Sequence, residues 1–174
     1  MTIDETIKLA AKHFSVTSEG ELSRDSTPYP MNKKARMGVG FDTETNGYKG
    51  FKFRLHRGGT PVNISSHRMV FYLQNGYLPE QVDHIDRDRS NNHPSNLRAA
   101  TPAQNSRNTP SRGGTSRFLG VHWCKARSKW QAFIRVKGKK TNLGRFKKED
   151  EAASHYNLSA MENYGEFANL NDLR

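Results

Sequence analysis

The run Asn108-Thr-Pro-Ser-Arg-Gly-Gly-Thr-Ser116 contains no large apolar side chain, and its Pro and paired Gly favour no regular backbone path. Such a stretch has nothing to place in a core. It therefore reads as a connection, and the chain must build two small modules, 1–110 and 117–174, with a linker at 111–116. Domains most often run to roughly 100–150 residues, so in a chain of 174 residues each module must close short elements over a small core.

Charge is distributed unevenly across that division. Residues 112–148 carry 12 Lys and Arg and no acid, whereas 149–174 carry one basic and six acidic residues. The basic block is interleaved with Trp123, Trp130, Phe133, Ile134, Val136 and Phe146, which a solvated tail would not need. The whole chain is at +11, a balance that selects polyanions, nucleic acid above all, as partners. No run of residues reaches the roughly 18 consecutive apolar positions of a membrane span. The N-terminal MTIDETIKLAAKHF lacks the basic and apolar regions of a secretion signal. The single cysteine, Cys124, excludes an intramolecular disulfide and a Cys-rich zinc site.

Periodicity predicts an α+β chain. Ile3, Ile7, Ala10, Ala11 and Phe14 have helical spacing, with Thr2 or Asp4 as cap. Tyr48, Phe51, Phe53 and Leu55, then Arg57-Gly58-Gly59-Thr60, then Val62 and Ile64 suggest a hairpin with a Gly-Gly turn. A helix from Ser65 to Asn75 would be capped by Ser65 or Ser66 and closed by Gly76. Residues 20–46 show no confident pattern. Beyond the linker, 118–123, 129–136 and 141–146 read as three strands, with turns at 126–128 and 137–139. Ala152, Ala153, Tyr156, Ala160 and Tyr164 then mark a helix with an acidic first turn. Ala132, Ile134 and Val136 would face that helix, leaving Phe133, Arg135 and Lys137 outward. Trp123 and Trp130 can serve as core residues, and packing is the favoured role for Trp130.

The densest chemistry lies between Val82 and Asn108, with Asp83, His84, Asn96 and Asn105 as working groups. Neighbours on a strand point to opposite faces, so strand-end twist or a loop must reconcile Asp83 with His84. A hard divalent cation takes one or two protein oxygens and fills its shell with water and phosphate. The Asp83 carboxylate and the Asn105 amide oxygen suit it. Such a metal would offset charge on the phosphorane and the leaving 3′ oxygen, while His84 could take a proton from the attacking water. Asp86, Asp88, Asn91, Asn92 and His93 could bind metal, but such clusters are ordinary turn formers and loop structure is the favoured role. Arg98 and Arg107 stand between phosphate contact and solvated face. His67-Arg68 suits packing or a phosphate contact; His13, His56 and His155 stand apart from any acid.

The order Asp-His, loop, Asn-Leu-Arg, Thr-Pro, Asn over about 62–110 resembles the HNH nuclease motif, a ββα-metal finger. The resemblance implies that His84 is the general base, that Asp83 and Asn105 ligate one Mg²⁺ or Mn²⁺, and that Asn96 braces the loop. Asn105 stands where many relatives have His, which favours these ions over Zn²⁺. Relatives often add a structural zinc on paired cysteines; with no Cys near the motif, packing must supply that support.

Residues 117–171 resemble an AP2 DNA-binding domain in Gly-Val, Lys-Trp-x-Ala-x-Ile, Leu-Gly-x-Phe, Ala-Ala-x-x-Tyr and Gly-x-x-Ala-x-Leu-Asn. That likeness implies a sheet face in the major groove of double-stranded DNA and, by matching position, contacts from His122, Lys125, Arg127, Arg135, Lys137, Lys140 and Asn142. Asn142 departs from the Arg or Trp of plant relatives, so their base preference does not transfer. The pairing is similar to phage-encoded HNH endonucleases of the homing type. It implies a monomeric, site-specific cutter leaving 5′-phosphate and 3′-hydroxyl ends in the cytoplasm of a bacterial or phage-infected cell, with no membrane partner. The alternative is a DNA-binding regulator with an inactive finger; a structure-specific or RNA-directed nuclease is the weaker third.

Overall fold

The computed structural model describes residues 2–25, 43–54, 56, 59–109 and 113–174. The chain is a mixed α+β protein of small antiparallel sheets and few helices, packed as two compact units, Met1–Pro102 and Ala103–Arg174. Leu55, Arg57 and Gly58 of the predicted turn lie outside the described residues, as does part of the predicted linker, 110–112.

In the first unit, α1 (Ile3–Ala10) begins at a reciprocal cap. Thr2 Oγ1 accepts from the Glu5 N–H, and Glu5 Oε2 accepts from the Thr2 N–H at 2.7 Å. The helix stops short of the predicted Phe14: Ala11–His13 tighten into a 3₁₀ turn, and Phe14 opens β1 (Phe14–Val16), which pairs with β2 (Leu22–Arg24). Burial explains the departure. The Phe14 ring sits 4.8 Å from Phe51 and 5.9 Å from Phe53, a position a continued helix would not reach.

A three-stranded sheet follows, in the order β3 (Thr43–Thr45), β4 (Tyr48–Phe53), β5 (Val62–Ser65). Asn46 and Gly47 join β3 to β4 with φ of 53° and 81°, the positive pair that a two-residue hairpin turn requires. The predicted hairpin is the β4–β5 pair, with Phe51 opposite Ile64. Helix α2 (Ser66–Asn75) ends at Gly76, whose φ is 75°. Ser65 holds the cap position, but neither serine makes the expected bond: Ser65 caps through no side-chain contact, and the Ser66 hydroxyl is buried without a partner. Met69, Val70 and Phe71 of α2 meet Ile7, Phe51 and Ile64 in one core. The hairpin of β6 (Gln81–His84) and β7 (Leu97–Ala100) is rooted in the same core by Val82 and Leu97.

In the second unit, α3 (Pro102–Arg107) opens at Thr-Pro as expected. Asn108 is buried, and Asn169 Nδ2 donates to the Thr109 carbonyl at 2.9 Å. Past the undescribed residues, Thr115 Oγ1 accepts from the Trp123 N–H, while Ser116 Oγ accepts from the Phe118 N–H and donates to Glu149. These small polar residues of the predicted linker are therefore bonded into the unit through amides and hydroxyls, which hydropathy does not register.

The sheet order is β10 (Lys139–Phe146), β9 (Lys129–Val136), β8 (Val121–Cys124), with α4 (Glu149–Tyr164) against it. The first strand starts three residues later than predicted. Gly120 has φ of 74°, and a Cβ there would strike the Tyr156 ring and lie 2.7 Å from the Phe133 carbonyl, so the chain turns tightly under α4 before it extends. Phe118, Val121 and Ala132 pack on Ala152 and Ala153, and Ile134 packs with Tyr156 and Ala160. Trp130 joins the core edge, its ring 5.1 Å from Trp123.

Candidate active site

The β6–β7 hairpin sets the geometry. Asp83 is the register partner of Arg98 and His84 that of Leu97, so carboxylate and guanidinium share one face and the imidazole takes the other. Asp83 is 5% exposed, and Arg98 Nε and Nη2 lie 2.9 and 2.8 Å from its Oδ2. Arg98 is thus drawn into a nearly buried ion pair, not spread on a solvated face.

On the other face His84, 3% exposed, stands among rings. His67 of α2 lies 5.2 Å away, and Tyr48 of β4 lies 5.8 Å from His84 and 5.0 Å from His67. His84 Nε2 is 3.0 Å from Asn92 Oδ1. That contact holds one edge of the ring. Asn92 thus belongs to the site, although sequence reasoning leaves it among the turn formers.

The loop from Ile85 to Ser95 is folded by its own polar side chains. Asn96 Nδ2 donates to Asp86 Oδ1 at 2.9 Å and to the Asn91 carbonyl at 2.8 Å, and Asn96 Oδ1 accepts from the Asp86 N–H at 3.0 Å. Asp88 accepts from Ser90. Burial works against ionisation of Asp86, but amide donors from Asn91 and Asn96 hold its carboxyl below the usual range. Asp86, Asp88 and Asn91 therefore do loop work here, and His93 bonds Ser95. Arg89 lies over the Tyr48 ring and donates to the Asn46 carbonyl at 2.7 Å, tying the loop to the β3–β4 turn.

Residues 66–107, which include this hairpin, match the family described as HNH endonuclease. A protein of Acanthamoeba polyphaga mimivirus, named as an uncharacterized HNH endonuclease, is 35% identical over 131 residues, 71% of this chain and 68% of that protein. The chain belongs to the HNH endonuclease family. Protein 3.8 of Escherichia phage T7 is 34% identical over 108 residues, 59% of this chain and 86% of that protein. No solved structure matches the chain.

Of the four residues expected to work together in this HNH chain, Asp83, His84 and Asn96 meet in one hairpin and its loop. Asn105 stands half-buried on α3, in the second unit. Among the described residues no group of three or more His, Cys, Asp or Glu could hold a metal. Asp83 offers one buried carboxylate, a hard oxygen donor of the kind a divalent cation accepts.

In the second unit the strand register gathers most of the residues expected to touch DNA. Gln131 faces His122, Arg135 faces Lys140 and Phe133 faces Asn142, so all six share the sheet face away from α4. Lys140 Nζ lies 3.8 Å over the Phe133 ring, and His122 lies 5.2 Å from it. Arg135 is exposed and bonds the Gly138 carbonyl. Lys137 does not continue the face: its φ of 47° places it in the turn with Gly138. Lys125 and Arg127 lie on a 3₁₀ turn after β8, exposed. Asn142 Oδ1 accepts from the Gly144 N–H at a register shift in β10. Arg107 lies over the Tyr164 ring, 4.7 Å from its centroid. Among the described residues no helix is long and apolar enough to cross a membrane.

Proposed function

We propose that this HNH protein is a metal-dependent, site-specific endonuclease acting on double-stranded DNA. The observation that carries the reading is the β6–β7 hairpin, which buries the Asp83 carboxylate on one face and, on the other, a His84 imidazole held by Asn92. His84 would take the proton of the attacking water, its ring held by the Asn92 contact at Nε2. Asp83, steadied by Arg98, would hold one Mg²⁺ or Mn²⁺. When bound, that ion supplies charge stabilisation at the phosphorane and the leaving 3′ oxygen. Asn96 keeps the loop closed so that Asn92 stays against His84.

The second unit supports the targeting half of the reading. An AP2-like sheet would lay His122, Phe133, Arg135, Lys140 and Asn142 in the major groove, with Lys125, Arg127 and Lys137 on flanking phosphates. Tethering makes the second contact intramolecular, so modest affinities combine. The phage and giant-virus relatives support a site of action in the cytoplasm of an infected cell and, with the nuclease–reader pairing, a homing role.

The test is incubation with long duplex DNA, labelled at one end of each strand, in Mg²⁺, in Mn²⁺ and in EDTA, read on a denaturing gel. Discrete bands in the metal lanes alone are expected, and they also tell nicking from double cutting. A clear gel shift with intact DNA in every lane would instead support a binding protein with an inactive finger.

A further inference from the structure

His67 has no role in the chemistry outlined so far, yet its place in the first unit is unusual. It enters from the first turn of α2, between Tyr48 and His84, with ring centroids 5.0 and 5.2 Å away. Tyr48 in turn lies under the Arg89 guanidinium, 4.8 Å from the ring centroid. One ring cluster therefore runs from the loop cation to the working imidazole. Its members come from β4, α2, β6 and the finger loop, four parts of the chain that only the fold brings together. His67 Nδ1 is buried without a hydrogen-bond partner, a state that costs a folded chain stability and that an apolar ring of similar size would avoid. Burial, with His84 and Arg68 nearby, also pushes the imidazole down to about 3, so it stays uncharged at any working pH.

We propose that His67 is a positioning residue for the reaction: an uncharged ring wall that fixes the plane of the His84 imidazole. The proposal rests on the reading of His84 as general base. Asn92 holds one edge at Nε2, and His67 with Tyr48 closes off the space into which the ring could otherwise tilt. Reacting groups displaced by about 1 Å can lose on the order of a hundredfold in rate, so a wall acts on turnover and not on binding. Nδ1 is shut off from both solvent and partners, so that nitrogen is dispensable and the ring is the working part.

The test compares wild type, His67→Phe, His67→Ala and His84→Ala on supercoiled plasmid with Mn²⁺ and enzyme in excess. Nicking rate, DNA affinity in EDTA and melting temperature are measured for each. His67→Phe should keep the rate within about threefold and melt no lower than wild type. His67→Ala, folded and binding DNA normally, should fall by about tenfold or more. If that variant does not fold, His67→Leu, ringless and closer in volume, takes its place. A second measurement needs no cutting: the His84 Cε1–H proton resonance should carry ring-current shifts from its neighbours, move in His67→Ala and largely persist in His67→Phe.

Full-rate nicking by folded His67→Ala, with His84→Ala inert, would overturn the proposal alone. So would a rate loss matched by an equal loss of DNA affinity, a His67→Phe variant as slow as His67→Ala, or a His84 resonance unmoved by His67→Ala. Wild-type nicking by His84→Ala would instead overturn the general-base reading, and the proposal with it.

Discussion

Acid should weaken the first unit through His67, by an amount the structure sets. An unfolded histidine titrates near 6.5, whereas burial first, and then His84 and Arg68, push the folded group down to about 3. Between those values the unfolded chain binds a proton that the folded chain refuses. The stability tied to this group is therefore complete above pH 6.5 and is lost as pH falls toward 3. At about 1.4 kcal/mol per pH unit, the loss is about 2 kcal/mol at pH 5 and about 3 kcal/mol at pH 4. With a urea slope of about 2 kcal/mol per molar, the pH 5 value moves the midpoint by about 1 M.

The two units need separate probes, because a single transition would mix them. Both tryptophans, Trp123 and Trp130, lie in the second unit, so their fluorescence is blind to this effect. Methyl signals of Ile64 and Met69 report the first core. Between about pH 7.5 and about pH 5, their urea midpoint should fall about 1 M further in wild type than in His67→Phe. Tryptophan midpoints should move equally in the two proteins. Equal methyl shifts in both would refute the reasoning, since His67 would then carry no proton linkage.

Arg98→Met should destabilise the first unit by on the order of 3 kcal/mol, because it leaves the Asp83 charge buried without its guanidinium; methyl-detected urea unfolding checks it, and an unchanged midpoint would show the pair to be energetically idle. Gly120→Ala should cost the second unit roughly 2 kcal/mol or more, combining a positive φ with a clash on Tyr156. Tryptophan fluorescence would register it, while the Ile64 methyl should not. Arg135→Ala should weaken binding of duplex DNA and lower the slope of log affinity against log salt by about one. Unchanged affinity and slope in a salt titration would remove Arg135 from the DNA-binding face.

How far the chain can be read without its coordinates depends on the range of each interaction. Local signals were sufficient for α4, whose Ala152, Ala153, Tyr156 and Ala160 all reach the core, and for the Gly76 stop, whereas the cap of α1 stayed open between Thr2 and Asp4. The alternation of Ala132 and Ile134 with Phe133 and Arg135 likewise assigns the two faces of β9, because the strand period is local geometry. The order of motif residues pointed to the HNH hairpin, since spacing along one chain is itself a sequence property. The Asn46-Gly47 turn is equally legible, as a two-residue signal before Tyr48.

Tertiary structure decided the rest. No periodicity could end α1 before Phe14, because the reason is the distant pair Phe51 and Phe53. Nor could it turn Arg98 from a solvated face to Asp83, which depends on which residue of β6 lies opposite it. Asn92 and His67 are ordinary in sequence, one a loop amide and the other the start of a helix. Their meeting with His84 comes from packing α2 and a folded loop around one hairpin. The sequence supplied the reactive groups and their order; long-range packing determined their neighbours and orientation, because burial and cross-strand register act between residues that no local pattern connects.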